Sequence, residues 1–121
     1  MENPDFEALL VKKEELLRMV SSASIEINKQ IKSKAFENAL QADLEKNEFI
    51  NSLFALDKEL VLAAKTTPVI SEKARQIIKN INSSLIDLIK LEKENELLIS
   101  QAGESISGKY IDSYKTYKQL K

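Results

Sequence analysis

The sequence is almost free of residues that interrupt helices. Its 121 residues include two prolines, at positions 4 and 68, and two glycines, at positions 103 and 108. Proline breaks a helix because it lacks an amide N–H, and glycine weakens one because its backbone is too free. The scarcity of glycine also excludes a glycine-rich phosphate loop and a series of tight hairpin turns. The chain is therefore predicted to fold from long helices.

Apolar residues recur at three- and four-residue spacing through the first half of the chain, which is the pattern of amphipathic helices. Asn3 is the predicted N-cap of the first helix, with Pro4 at its first position. This helix is predicted over about residues 4–32, followed by a turn at 32–35 and a second helix over about 36–65. The apolar arc of the second helix is broad, so we expect it to contact two neighbours.

The third helix has the strongest periodic signal. Thr67 is its predicted N-cap and Pro68 its first residue, because the residue before a proline is driven out of the helical region. Apolar residues then alternate at steps of four and three over 70–102, a heptad pattern that ends at the predicted C-cap Gly103. Asn95 interrupts this seam, either to fix helix register or to contact a partner, and buried asparagines favour the first interpretation.

Three long helices joined by short turns must run antiparallel. The predicted fold class is all-α: an antiparallel three-helix bundle of coiled-coil type, formed by residues 1–103 of the chain. Residues 104–121 carry four lysines against Glu104 and Asp112, a formal charge of +2. They are predicted to form a short fourth helix or a flexible tail, because a helix of this length is marginal alone.

The missing residue types exclude much catalytic and metal chemistry. The chain has no cysteine and no histidine, so it forms no disulfide, no zinc site of the usual type and no histidine-based catalytic site. The acidic run at 92–96 is interpreted as a solvated helix face, because its carboxylates point in different directions. We therefore expect no enzymatic activity, no bound metal and no cofactor.

Charge and hydropathy narrow the class of partner. Lys and Arg total 18 and Asp and Glu total 19, and a net charge of −1 argues against nucleic acid. The longest apolar run, Leu60–Ala64, is far shorter than the ~20 residues that span a bilayer, so no membrane insertion is expected. The start of the chain, Met1–Asp5, lacks the basic and then apolar order of a signal peptide. A cytoplasmic protein is expected.

The second and third helices carry more apolar residues than one packing seam uses. Each helix of a bundle needs a wide face for two neighbours, which is one interpretation. The other is a surface for a partner, either a groove that accepts another helix or a contact that makes a homodimer. The sequence leaves both open. The candidate partner-binding residues are Phe49, Phe54, Leu56, Ile78, Leu85, Ile86, Ile89 and Ile99.

The C-terminal segment repeats isoleucine and tyrosine at helical spacing. This stripe either packs on the bundle as a last helix or forms a displaceable, regulatory cover over the groove, since tyrosine joins an apolar ring to a polar tip. Its residues are Ile106, Tyr110, Tyr114 and Tyr117.

Two segments, residues 40–60 (LQADLEKNEFINSLFALDKEL) and residues 81–99 (INSSLIDLIKLEKENELLI), stand within a layout of two long helices, a proline-marked turn and a longer third helix. In these segments, and over about residues 5–102, the chain resembles the flagellar type III export chaperones of the FlgN/FliT type. From Gly103 onward it is nearer to the FliT-like arrangement, in which a fourth helix can cover the binding surface.

The resemblance implies a function and partners. Such a chaperone binds the C-terminal amphipathic helix of a flagellar hook–filament junction or filament-cap protein, prevents its premature assembly and delivers it to the type III export apparatus. Components of that apparatus are then partners too. The alternative is a structural helical bundle that self-associates, as a homodimer for example, or acts as a scaffold through its apolar faces.

Overall fold

The computed structural model describes residues 5–102, which form three α-helices and no strand. Helix α1 spans Phe6–Lys32, α2 spans Phe36–Lys65 and α3 spans Glu72–Ala102. The prediction of an all-α chain with three long helices that pack together is confirmed. The predicted fourth helix or tail lies outside the described residues, together with its stripe of Ile106, Tyr110, Tyr114 and Tyr117.

Two predicted helix starts are wrong by a few residues. Helix α1 is capped by Asp5 rather than Asn3, and the Asp5 carboxylate accepts a hydrogen bond from the Glu7 amide at 3.1 Å. Helix α3 begins at Glu72 rather than Pro68, because the Ser71 hydroxyl accepts the Ala74 amide at 3.0 Å. Thr67 serves the preceding helix instead, since its hydroxyl donates to the Ala63 carbonyl at 2.7 Å.

The turn between α1 and α2 is built without glycine. Lys34 adopts a left-handed backbone conformation with φ of 61°. Its amide donates to the Ile31 carbonyl at 3.0 Å, and the Ala35 amide donates to the Gln30 carbonyl at 2.8 Å. This pair of bonds is a Schellman motif, which satisfies carbonyls at the end of α1. The predicted turn at 32–35 is confirmed.

Helix α1 lies between the other two helices. At one end of the bundle Lys73 of α3 pairs with Glu7 of α1 at 3.4 Å, and at the other end Lys32 of α1 pairs with Glu94 of α3 at 3.2 Å. Helices α1 and α3 are therefore parallel, and the short turns make α2 antiparallel to both. The backbones of α2 and α3 both approach α1 closely but scarcely approach each other.

The interior consists of two apolar clusters. The larger one joins the first part of α1 to the second half of α2 and the first half of α3. The smaller one lies at the other end and contains Ile27, Ile31, Ala39, Ala42 and Ile99. Between them lies a layer of buried polar side chains, here called the polar layer, formed by Ser24, Asp43, Lys46, Glu92 and Asn95.

Candidate functional site

The separation of α2 from α3 leaves a groove whose floor is α1. We call it the α2/α3 groove, and the Lys13–Asp57 ion pair divides it into two halves. The inner half, next to the polar layer, has a cavity volume of about 370 Å³ and is lined by Leu17, Val20, Ile50, Leu53, Phe54, Leu85, Leu88 and Ile89. The outer half has a volume of about 480 Å³ and is lined by Phe6, Leu10, Leu60, Val61, Ala64, Ile78, Ile81, Asn82 and Leu85.

The width of the apolar arcs explains why the groove is apolar. On α2, Leu53 and Leu60 face the core, whereas Phe54 and Val61 lie one position further around the helix. Phe54 remains 38% exposed and Val61 58% exposed. On α3, Ile89 is 43% exposed beside the buried Leu88. The second apolar stripe of each helix therefore lies open to solvent along the groove instead of packing on the other helix.

A single ion pair crosses the groove between its two halves. The Nζ atom of Lys13 on α1 lies 2.9 Å from Oδ1 of Asp57 on α2, and both side chains are partly buried. Because each charge neutralises the other, this part of the groove presents little net charge to an occupant. Lys13 and Asp57 were not among the site residues predicted from the sequence, because a single lysine and a single aspartate on separate helices form no recognisable motif.

Four of the eight predicted partner-binding residues meet in this groove. Phe54, Leu85 and Ile89 line its inner half, and Ile78 with Leu85 lines its outer half. They come from two different helices, so only the packing of both on α1 brings them together.

The structure places the other four elsewhere. Leu56 is only 7% exposed and belongs to the larger apolar cluster. Ile99 belongs to the smaller cluster, and Phe49 lines a surface depression between α1 and α2. Ile86 is exposed on α3 and lines neither half of the groove. The predicted tail residues lie outside the described part of the chain.

The polar layer beside the groove links all three helices. The Lys46 ammonium on α2 lies 3.2 and 3.3 Å from the two carboxylate oxygens of Glu92 on α3 and 3.6 Å from Oδ1 of Asp43. The Ser24 hydroxyl on α1 donates to the same Glu92 carboxylate. The Asn95 side chain accepts a hydrogen bond from the side-chain amide of Asn28 at 2.9 Å and donates one to the backbone carbonyl of Ser24 at 3.0 Å. These contacts set the register of α3 on α1, as expected for Asn95.

The layer corrects the interpretation of the acidic run at 92–96. Glu92 was expected on a solvated face, but its side chain is buried because Lys46 and Ser24 satisfy it. The sequence contains one signal for this. The apolar seam of α2 has a gap between Ala42 and Phe49, and Lys46 fills the missing core position.

Asp43 is the least satisfied member of the polar layer. Its side chain is fully buried, and neither of its carboxylate oxygens has a hydrogen-bond partner within residues 5–102. Burial raises the pKa of Asp43 above its usual value, although the charge of the nearby Lys46 opposes the shift. When Asp43 is protonated, Lys46 and Glu92 remain as a balanced buried pair.

The described residues were also compared with the requirements of other site types and with known proteins. Across residues 5–102, no three carboxylates or other side chains of metal-ligand type converge. No helix in this range combines the length and the apolar character needed to cross a bilayer. No family model matches the chain, and no curated protein or solved structure matches it either.

Proposed function

We propose that the chain is a helix-binding protein that uses the α2/α3 groove, and that it acts as a flagellar export chaperone of the FlgN/FliT type. In this proposal the groove binds the C-terminal amphipathic helix of a hook–filament junction or filament-cap protein. Binding prevents premature assembly, and the complex is delivered in the cytoplasm to the type III export apparatus. The specific cargo class comes from the sequence resemblance, and the mode of binding comes from the groove.

One observation carries the binding proposal: α2 and α3 each present an apolar stripe to the space between them, and that space is open. From Ile78 to Ile89 the groove runs along twelve residues of α3, a distance of about 17 Å at 1.5 Å per residue. This matches roughly three turns of a docked helix. Helices that bind in this way anchor apolar side chains at positions i, i+3 or i+4 and i+7.

The energetics favour a helix that has an apolar stripe. Burial of apolar surface contributes about 25 cal/mol per Å². Ordering the incoming segment and immobilising its side chains offsets part of this gain. Exposed Phe54, Val61 and Ile89 are the side chains with most surface left to bury in the groove.

A second candidate function is self-association, and it has an observation in its favour. Large apolar side chains are exposed outside the groove as well, including Ile25, Leu62, Ile86 and Leu97. A contact through these residues would make a homodimer or a scaffold. Light scattering of the full chain separates the two, because the scaffold function requires a concentration-independent oligomer, whereas the chaperone function requires none.

The binding proposal is tested with the full chain and the C-terminal segments of hook–filament junction and filament-cap proteins from the same genome. Calorimetry is expected to give a one-to-one complex with one of these segments. Ile89→Asp in the groove is expected to weaken it at least tenfold, about 1.4 kcal/mol or more. Ile25→Asp, an equivalent change on exposed α1 surface outside the groove, is the matched control and should bind normally. Equal weakening by both variants would argue against the groove.

A further inference from the structure

The exposed charged residues at the two edges of the α2/α3 groove are mostly cations. On α2, Lys58 lies four residues after Phe54 and three before Val61, and Lys65 lies four residues after Val61. At about 100° per residue, these spacings place both lysines at the outer edge of the groove. Both are exposed. The α2 edge is therefore basic.

The α3 edge is basic as well. Arg75 lies three residues before Ile78, Lys79 follows Ile78 directly, and Lys93 lies four residues after Ile89. All three cations are exposed. Together with the two lysines of α2 they form what we call the basic rims: Lys58, Lys65, Arg75, Lys79 and Lys93.

Most carboxylates lie away from these rims; the exceptions on α3 are Glu72, three residues before Arg75, and Glu96, three residues after Lys93. Along the groove, Asp57 is paired with Lys13 and Glu92 is buried in the polar layer. Asp87 stands two residues before Ile89, so it lies about 200° around the helix from it. The surface depressions on the opposite side, between α1 and α2, have an acidic excess: they are lined by two cations, Lys12 and Arg18, and by four carboxylates, Glu15, Glu26, Glu45 and Glu59. Although the net charge of the chain is −1, cations predominate along the edges of the groove and carboxylates predominate in the depressions between α1 and α2.

The cations of the basic rims are available to a partner. Within residues 5–102, none of the five forms an ion pair with a carboxylate. Exposed charges act over about 8 Å at physiological ionic strength, and packed helices lie about 8–10 Å apart. Complementary charges set specificity and association rate more than they set total affinity.

We propose that the occupant of the α2/α3 groove is an acidic amphipathic helix of another protein, about three turns long, whose Asp and Glu side chains flank its apolar stripe on both sides. This proposal rests on the proposed helix-binding function and specifies the chemistry of the partner. The apolar stripe of the partner helix lies along both halves of the groove, and its flanking carboxylates lie next to the basic rims.

The same charges argue against the chain's own C-terminal segment as the occupant. Residues 104–121 carry a formal charge of +2, which has the same sign as the basic rims. Like charges placed opposite one another oppose docking. An anionic membrane surface would satisfy the cations, but Leu17, Val20 and Leu53 lie at the bottom of a concave groove that a flat surface does not enter.

The test is a selection with the full chain. The library displays helices of about 14 residues, with leucines fixed at heptad positions and with Glu, Gln or Lys allowed equally at the flanking positions. We expect the recovered helices to be enriched in Glu.

A charge-reversal variant gives a second test. The double variant Lys79→Glu with Lys93→Glu is expected to lower the affinity for a recovered helix about fivefold or more, measured by fluorescence anisotropy at low salt. The matched control, Lys12→Glu with Lys29→Glu, makes the same charge change on exposed α1 positions and should bind as the unaltered chain does.

The possible results distinguish the proposal about acidic partners from the helix-binding function on which it rests. If the recovered helices are neutral or basic and lose binding with Ile89→Asp, the groove binds helices but the proposal about acidic partners is wrong. If no recovered helix depends on Ile89, the helix-binding function is wrong as well. Cosedimentation with phosphatidylserine-containing vesicles, without recovery of any helix, would assign the basic rims to a membrane surface and overturn both.

Discussion

The Nζ atom of Lys46 lies 3.2 Å from Oε2 of Glu92, and this ion pair is buried where the three helices meet. It connects α2 to α3 at a level where their backbones stand apart. The pair also closes the inner end of the α2/α3 groove, because the apolar lining of the groove stops at Ile50 and Ile89. A buried pair of this kind sets the relative position of two helices that otherwise share little contact.

Removal of the cation from the polar layer is expected to be costly. Lys46→Met leaves the Glu92 carboxylate buried without its counter-charge, and it should lower the free energy of unfolding by about 3–5 kcal/mol. The triple variant Asp43→Leu, Lys46→Met and Glu92→Leu removes every charge of the layer and should recover most of this loss. Urea unfolding measures both. A loss below about 1 kcal/mol in the single variant would contradict the buried pair.

The raised pKa of Asp43 predicts a dependence of stability on pH. Between the ordinary pKa of an aspartate and the raised value in the folded chain, the folded state holds a proton that the unfolded state has released. Stability is therefore expected to fall as pH rises through this interval, by at most about 1.4 kcal/mol per pH unit. Asp43→Asn removes the titration, so the stability of this variant relative to the unaltered chain should increase as pH rises above the ordinary pKa of an aspartate.

Thermal unfolding of the two proteins at several pH values checks this sign. Asp57→Asn, at a partly exposed carboxylate outside the polar layer, is the matched control. An advantage of Asp43→Asn that is constant with pH would mean that the pKa of Asp43 is the same in the folded and the unfolded chain.

The left-handed residue in the first turn is a site for stabilisation. Lys34 has φ of 61°, and this conformation costs a residue with a β-carbon roughly 1 kcal/mol. Lys34→Gly is therefore expected to raise the free energy of unfolding by about 0.5–1 kcal/mol. Lys32→Gly, inside the last turn of α1, should lower it by a similar amount because glycine weakens a helix interior. Urea denaturation of both variants tests the Schellman geometry.

Aspartate substitutions should separate groove residues from core residues. Leu56→Asp places a charge in the larger apolar cluster and should cost more than about 3 kcal/mol. Ile89→Asp changes a side chain that is partly exposed, and a cost near 1 kcal/mol or less is expected. Circular dichroism during heating measures both. Only Ile89→Asp is then suitable for binding experiments, and equal costs would contradict the placement of Ile89 at the groove.

Deletion of residues 104–121 tests the role of the tail. The two apolar clusters and the polar layer all lie within residues 5–102, so helicity and cooperative unfolding should be retained. Because the tail and the basic rims carry charge of the same sign, affinity for an acidic helix should change by less than about twofold. A large gain in affinity would instead support the cover that the resemblance to FliT-like proteins implies.

Much of the secondary structure follows from local patterns. The second helix was predicted over 36–65 and is observed over Phe36–Lys65, because its periodicity and its threonine–proline boundary are both local signals. The start of α3 was placed too early because Pro68 is a strong local signal, whereas the structure shows that Ser71 caps the helix by accepting the Ala74 amide. Half of the candidate partner-binding residues share the groove. Leu56 lies three residues after Leu53 and four before Leu60, so its spacing already indicated the core face, whereas the burial of Ile99 depends on contacts with the other helices.

The sequence by itself determined that this chain is all-α, where its long helices run and which residue chemistry it lacks, because helix formation depends on residues three and four positions apart. Tertiary structure decided which helix is central, where the groove opens and which charges are buried. Lys46 and Glu92 are 46 positions apart in the chain and look like surface residues in isolation. Their burial depends on a partner from another helix, since a charge enters the interior only where an opposite charge compensates it.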